Sequence, residues 1–322
     1  MTTKQIVTVG SCNIDLVSYA PRIPNPGETI HGREFLTFFG GKGANQCVAV
    51  AKLGGEAVMV ARVGDDIWGP KYLETLQKEN VITKYVLETE KCSTGVAQII
   101  VGDDTGQNQI VITAGANGEL KVKDIDAAEE VISQAGAVIM QLETAESAAI
   151  RAMELCKGVS ILNGAPGKST YDPKLLTLPT IFCVNETEAS IFSGGLPVST
   201  NPEIEAAAAA LMSKGCQCVI ITLGEQGAFY IDKNDKYYVS SNKVKCVDST
   251  GAGDAFIGAL AYLLVNEKDM PMKKAIELAC FAAADSVTRP GAQPSFPDSS
   301  IFKEIIDSSK TSTDTQQCDC ST

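Results

Sequence analysis

The sequence predicts an α/β fold, a mainly parallel sheet with helices on both faces, and three observations carry that prediction. Short runs such as IVTVG (6–10) and CVII (218–221) are apolar on both faces, as strands buried from two sides are. Stretches of helix-forming residues such as ANQCVAVAKL (44–53) and EIEAAAAALMSK (203–214) separate them. Polar residues gather just after the strand-like runs, where open parallel sheets bind ligands. At 322 residues and 44% hydrophobic, the chain can bury a large core.

The elements follow in order. IVTVG opens the chain as a strand, and residues 14–38 then offer two strand-like pieces around a turn at Pro24 to Gly27, with no helix between them. A helix at ANQCVAVAKL, a strand at AVMVARVG (57–64) and a helix at GPKYLETLQKEN (69–80) restore the alternation. Residues 95–113 break it again, with two strand-like pieces around Gly102 to Gly106. Two hairpins without covering helices can pair as a small sheet away from the main core, a lid or a subunit contact. The alternation resumes with AVIMQLE (137–143), AAIRAMELC (148–156), VSILNGAP (159–166), TIFCVNETE (180–188), EIEAAAAALMSK and CVIITLG (218–224). VKCV (244–247) reads as a further strand end before Asp248, and Ala255 to Leu264 as a helix. The polar, low-complexity residues 311–322 read as a disordered tail, leaving 1–310 as one domain with the lid built from about 14–38 and 95–113.

Composition excludes several functions. A net charge of −12 argues against nucleic-acid binding, which needs a basic stripe. No apolar stretch reaches membrane-spanning length, and IVTVG follows the start without a basic-then-apolar leader, so no membrane partner and a cytosolic location are expected. The eleven cysteines lack zinc spacing, His31 is the one imidazole, and most cysteines (Cys47, Cys156, Cys183, Cys218, Cys246, Cys280) lie in apolar runs as reduced core thiols.

Two glycine-rich elements suggest chemistry. In VDSTGAGDAFIGALAYLL (247–264), Gly251 and Gly253 precede a helix-forming run. The amides of Ala252, Gly253 and Asp254 then lie at a helix N-terminus, an anion site, with a capped turn as the bland alternative. FFGGKGANQCVAVAKLG (38–54) sets Gly40, Gly41, Lys42 and Gly43 before a helix, with neither the Walker nor the dinucleotide spacing. It offers bare backbone, the cation Lys42 and the amide Asn45 to hydroxyls or phosphate, or else a solvated lysine in a turn. Polar residues also end the strand-like runs: Asn13 and Asp15, Glu143, Asn163, then Asn185, Glu186 and Glu188, then Thr222, Leu223 and Gly224, and Asp248. Each can be an ordinary helix cap, but together they suit a polyhydroxylated ligand and a hydrated cation.

GGKGANQ (40–46) and DSTGAGDAFIGAL (248–260) resemble the two signatures of the ribokinase, or PfkB, family of sugar kinases. GSCNIDLV, PGET, STGVA, AGAN, QLE, NETEA, ITLGEQG and VTRPGAQPS extend the resemblance over nearly the whole chain apart from the tail. The resemblance implies a Rossmann-like domain with a small β-sheet lid that forms a homodimer contact. It also implies transfer of the ATP γ-phosphoryl group to O5 of D-ribose. By the same resemblance Asp254 is the base, and the Ala252, Gly253 and Asp254 amides are the anion hole. Asn13, Asp15, Gly41, Lys42, Asn45 and Glu143 hold the sugar, and Asn185, Thr222, Gly224 and Gly227 line the nucleotide site. Glu188 helps to organise Mg²⁺ through water. Activation by K⁺ is implied at Asp248, Thr250, Ser286, Arg289, Gly291 and Ser295, several through carbonyls. Cys280 departs from the Asn or His of relatives near adenine. The alternatives are a sister kinase for 2-deoxyribose, fructose or adenosine, a silent sugar or nucleotide sensor, and a nicotinamide oxidoreductase, for which the fingerprint glycines after IVTVG are lacking.

Overall fold

A computed structural model describes residues 4–103, 107–267 and 269–302. The strands are β1 (Ile6–Val9), β2 (Asn13–Ala20), β3 (Glu34–Gly40), β4 (Ala57–Gly64), β5 (Ile82–Thr89), β6 (Gly95–Gly102), β7 (Asn108–Thr113), β8 (Ala137–Met140), β9 (Val159–Asn163), β10 (Ile181–Asn185), β11 (Cys218–Thr222), β12 (Ala228–Asp232) and β13 (Lys236–Val239). The α-helices are α1 (Lys42–Lys52), α2 (Gly69–Lys78), α3 (Val122–Ala127), α4 (Glu129–Gln134), α5 (Glu146–Leu155), α6 (Lys174–Thr177), α7 (Glu186–Ser193), α8 (Asn201–Ser213), α9 (Ala252–Asn266) and α10 (Met272–Ser286).

Nine strands form the main sheet in the order β13-β12-β11-β10-β9-β8-β1-β4-β5. Pairing is parallel from β11 through β5, and only β12 and β13 join antiparallel at one edge. The expected parallel sheet is therefore present. Its all-apolar strands lie between two buried layers. One is built on α1, α9 and α10 with residues such as Val48, Phe256 and Ala279, the other on α5, α7 and α8 with residues such as Ala149, Phe192 and Leu211. The chain leaves β1 towards β4 on one side and returns to β8 on the other. The strand order thus reverses between β1 and β8, and a crevice opens at their carboxyl ends, at Gly10–Asn13 and Gln141–Glu143.

The two helix-free segments do pair with each other. They form a second sheet in the order β3-β2-β6-β7, with β2 and β6 parallel and the outer pairs antiparallel. The reason is visible at the ends of β2. Asn13 opens it after only three intervening residues from the end of β1, so the small sheet springs from the carboxyl end of the main one.

Some expectations fail. VKCV is not a strand: residues 241–247 run as an irregular segment, held where the amides of Val247 and Asp248 donate to Val287 O. A hydrophobe alternating with lysine over four residues needs a neighbouring strand edge, and β13 already ends the sheet. For the same reason Cys246 is exposed rather than a core thiol, while Cys156, which caps the C-terminus of α5, is only half-buried. The edge strands β12 and β13 and the outer β5 were not anticipated. Gly106 and the tail 311–322 lie outside the described residues.

Candidate active site

The site begins with a helix packing. Gly258 of α9 lies against α1 so closely that a Cβ there would be 2.5 Å from Ala49 Cβ and 2.9 Å from Gln46 O. Asp254 is one turn before Gly258, and Asn45 one turn before Ala49, so the same contact brings them together. Asn45 Nδ2 donates to Asp254 Oδ2 and Gln46 Nε2 to Asp254 Oδ1, each at 2.9 Å. Burial raises the Asp254 pKa above the usual carboxylate range. The Lys42 charge and these two amide donors pull it back, and Glu143 pushes it up again.

Gly251 caps α9 in the left-handed region at φ 80°, and a Cβ on it would meet Ala292 Cβ at 2.8 Å. Bare backbone is thus required by conformation and by packing. Of the three amides expected to form an anion hole, that of Ala252 donates to Ser249 O at 3.2 Å. Those of Gly253 and Asp254 have no acceptor among the described residues, and nothing lies within 4 Å of where a Gly253 Cβ would stand. The α9 N-terminus therefore presents free N–H groups and the positive end of the helix dipole to open space.

That space is a cavity of about 240 Å³ lined by Lys42, Asn185, Glu188, Thr222 and the Ser249–Asp254 turn, with Asn163, Ala165, Cys183 and Ile257. Residues expected at the sugar and at the nucleotide thus meet on one wall. Asn185 and Glu188 form a capping box on α7, each side chain accepting from the other's amide at 2.9 Å. Burial raises the Glu188 pKa, against the Asn185 amide and Lys42.

Lys42 starts α1 after Gly41, whose φ of 89° and contact with Asn13 N exclude a side chain. Burial lowers its pKa, but Asp254, Glu143, Glu188 and Asp15 together outweigh burial and raise it. A single ammonium thus stands among four carboxylates. Glu143 Oε2 accepts from the Lys42 amide at 3.0 Å and from the Ser11 hydroxyl, which in turn accepts from Gly43 N at 3.2 Å. The β8 carboxyl end is thereby tied to the α1 N-terminus. Asp15, the third residue of β2, is half-buried, and its pKa is pushed up to about 7 by burial, Glu143 and Asp254, with Lys42 opposing. Asn13 Oδ1 accepts from Asn117 Nδ2 at 2.7 Å, which sets the orientation of the Asn13 amide.

None of the remaining expected residues lines this cavity. Gly224 (φ 54°) and Gly227 (φ 103°) form the turn between β11 and β12, and a Cβ on Gly227 would lie 2.0 Å from Val239 O. Cys280, on the buried face of α10, packs into the core off the cavity wall, and burial pushes its thiol up to about 12. Asp248 accepts from Thr250 N at 2.9 Å and Gly291 N at 2.8 Å, so two segments far apart in sequence meet just before the α9 N-terminus. Ser295 O is taken by the Arg289 guanidinium, and Ser286 Oγ donates to Ala283 O.

Sequence reasoning named no role for Ser11, Asn117, Gln46, Gln141 or Gln293. Asn117, Gln46 and Gln141 lie inside motifs that were legible (AGAN, GGKGANQ and QLE), and Gln293 inside VTRPGAQPS.

The pfkB family carbohydrate kinase model matches residues 3–299. Mouse ribokinase is 43% identical over 297 residues, 91% of either chain, and the deoxyribokinase of Salmonella typhi 38% over 306 residues, 94% of this chain and 98% of that one. Among solved structures, the ribokinase of Thermotoga maritima superposes with a TM-score of 0.85 at 33% identity, covering 94% of this chain and 99% of that one. The Arabidopsis thaliana ribokinase complexed with ribose and ATP also gives 0.85, at 32% identity, covering 94% and 98%. By the family model and by its likeness to these relatives, the chain belongs to the pfkB family of carbohydrate kinases and is an ATP-dependent sugar kinase.

Proposed function

We propose that this kinase transfers the γ-phosphoryl group of ATP to O5 of D-ribose with Asp254 as general base. One observation carries the reading: the Asp254 carboxylate and the unpaired Gly253 and Asp254 amides face the same cavity as Lys42 and the Asn185–Glu188 box. Phosphoryl transfer depends on positioning and charge stabilisation, and a helix N-terminus aimed at the developing charge supplies the latter. The Asp254 carboxylate accepts the proton of the attacking hydroxyl. Asn13, Asp15, Asn45 and Glu143, gathered at the switch between β1 and β8, hold the other hydroxyls. Mg²⁺ arrives with ATP as part of the substrate, and the Glu188 carboxylate on the cavity wall fits its water shell.

The experiment is ADP release over a panel of pentoses and hexoses. Ribose should give the highest kcat/KM. The deoxyribokinase relatives make 2-deoxyribose the specific rival, and its preference over ribose would replace this substrate assignment. Sugar binding without ADP release would replace catalysis by sensing.

K⁺ activation is part of the reading. The donor set fits a large monovalent cation at the Asp248 carboxylate and the carbonyls around Thr250 and Gly291, which the Asp248 hydrogen bonds bring together. Ser295 O fits less well, since Arg289 occupies it. When bound, such an ion supplies fixed positive charge behind the anion-hole amides. Turnover at constant ionic strength should rise severalfold when Na⁺ is replaced by K⁺, and Asp248→Ala should abolish the difference. Equal rates in both salts would leave Asp248 a structural cap.

The small sheet serves as lid and homodimer contact in this reading. Phe35, Ile110, Val111 and Ile112 are each at least half exposed on it, and β7 is an unpaired edge. Sedimentation should give a dimer, and Val111→Lys should shift it towards monomer; a monomeric wild type at micromolar concentration would overturn the contact.

A further inference from the structure

Asp254 is held by side chains that do not line the cavity. Gln46 and Gln141 are essentially fully buried, and neither lies on the cavity wall. Gln46 Nε2 donates both to Asp254 Oδ1 at 2.9 Å and to Asn163 Oδ1 at 3.2 Å, while Gln46 Oε1 accepts from Gln141 Nε2 at 2.6 Å. Each amide in this row has its orientation dictated. The Cys183 carbonyl can only accept, so Asn163 donates Nδ2 to it at 3.2 Å and must present Oδ1 to Gln46. Gln46 then faces two acceptors, Asn163 and the carboxylate, and can meet them only with its amino group. Its Oε1 therefore points at Gln141, which must donate.

Gln141 Oε1, at the far end, is buried without a partner among the described residues, and it lies where a Cβ on Gly10 would be 2.0 Å away. An unpaired buried acceptor is destabilising, and an amide kept only for packing would be satisfied at both ends. On the other side, Gln293 Nε2 donates to Asn45 Oδ1 at 3.0 Å, turning the Asn45 amino group towards Asp254 Oδ2. Asn45 is also a sugar ligand in the reading above, so its donors are shared when sugar binds. Gln46 has no such second duty.

We infer that Gln46, oriented by Gln141 and Asn163, is a positioning residue that holds the Asp254 carboxylate ionised and aimed at the acceptor hydroxyl. The inference rests on Asp254 being the base. A neutral amide suits the role: it donates to the carboxylate without offering it an acidic proton, so Oδ1 stays bonded to Gln46 while the carboxylate takes the proton from sugar. Removing a donor to the charged form raises the pKa of the acid. The burial that already pushes Asp254 up would then be opposed by Lys42 and Asn45 alone.

The test is the pH profile of kcat at saturating sugar and ATP for Gln46→Met, which keeps length and volume but cannot donate. The acid limb should move up by about one to two pH units, the loss expected for a hydrogen bond to a charged group. Well below the pH of the wild-type limb kcat should fall about 10- to 100-fold, with both KM values within about threefold of wild type. Gln141→Met, which leaves every partner of Asp254 in place and only frees the Gln46 amide to turn, should move the limb in the same direction by less. It decides the matter alone if Gln46→Met does not fold. A limb that stays at the wild-type pH, or an increase in KM without a shift of the limb, would overturn the inference. Asp254→Asn separates the two readings. Substantial activity there defeats the base assignment itself, whereas an inactive Asp254→Asn beside an unmoved limb defeats only the role of Gln46.

Discussion

Asp254→Asn should reduce turnover about 100- to 10,000-fold, the range for loss of a general base, while ATP and sugar still bind. The amide keeps the shape of the carboxylate but cannot take the hydroxyl proton. It also meets two donors, Asn45 Nδ2 and Gln46 Nε2, where the carboxylate offered an acceptor to each. One of these must turn away or lose its bond, so a small stability loss of about 1 kcal/mol should accompany the loss of rate. The free Gly253 amide is untouched, and the nucleotide affinity measured by calorimetry should stay within a few-fold of wild type. Retention of more than about a tenth of the wild-type kcat would mean that another group takes the proton.

How much of this was readable in the sequence depends on the range of the interaction concerned. The sheet was legible because its strands are apolar on both faces and its helices intervene, both local patterns. The glycine-led helix N-terminus was legible for the same reason: Gly251, Gly253 and the helix from Ala252 are neighbours in sequence. Asp248 was expected to follow a strand, but VKCV has no edge to join, and what fixes Asp248 is Gly291, 43 residues away. The amide row was invisible because Gln46 acquires its partners only when Gly258 lets α9 approach α1 and β8 brings Gln141 beside it. Asn117 is a similar case. AGAN was legible as a motif, but its link to Cys12 and Asn13 joins segments about a hundred residues apart. Composition says that such amides exist, not which way they point.

Asp15→Asn should have two effects of opposite sign. Burial first, and then the carboxylates of Glu143 and Asp254, push the Asp15 pKa up against Lys42, and its carboxyl covers Gly40, where a Cβ would lie 2.2 Å from Oδ2. Its folded pKa, about 7, stands above the ordinary carboxylate value. The folded state therefore binds a proton that the unfolded state has released between about pH 4 and pH 7, and stability falls as pH rises through that window. Asn carries no charge at any pH. The variant should match wild type in stability near pH 4, gain over it as pH rises, and level off above pH 7 at an advantage of roughly 1 to 4 kcal/mol, the upper figure corresponding to the full width of that window. In function the change should be harmful. A sugar hydroxyl that donated to the carboxylate meets an amide instead, and KM for sugar should rise about 5- to 150-fold, the equivalent of roughly 1 to 3 kcal/mol, while KM for ATP moves little. Urea midpoints at pH 5, 6, 7 and 8, beside sugar and ATP saturation curves, measure both effects. A stability difference that does not vary with pH would remove the account of Asp15 as a carboxyl whose charged form is disfavoured by burial and by its neighbours. Equal changes in the two KM values would remove it from the sugar site. Together the two effects would mean that the crowding of Asp15, Glu143 and Asp254 is maintained against stability for the sake of the acceptor, and that bound sugar, by hydrogen-bonding the ionised Asp15, should lower its pKa and recover part of the loss.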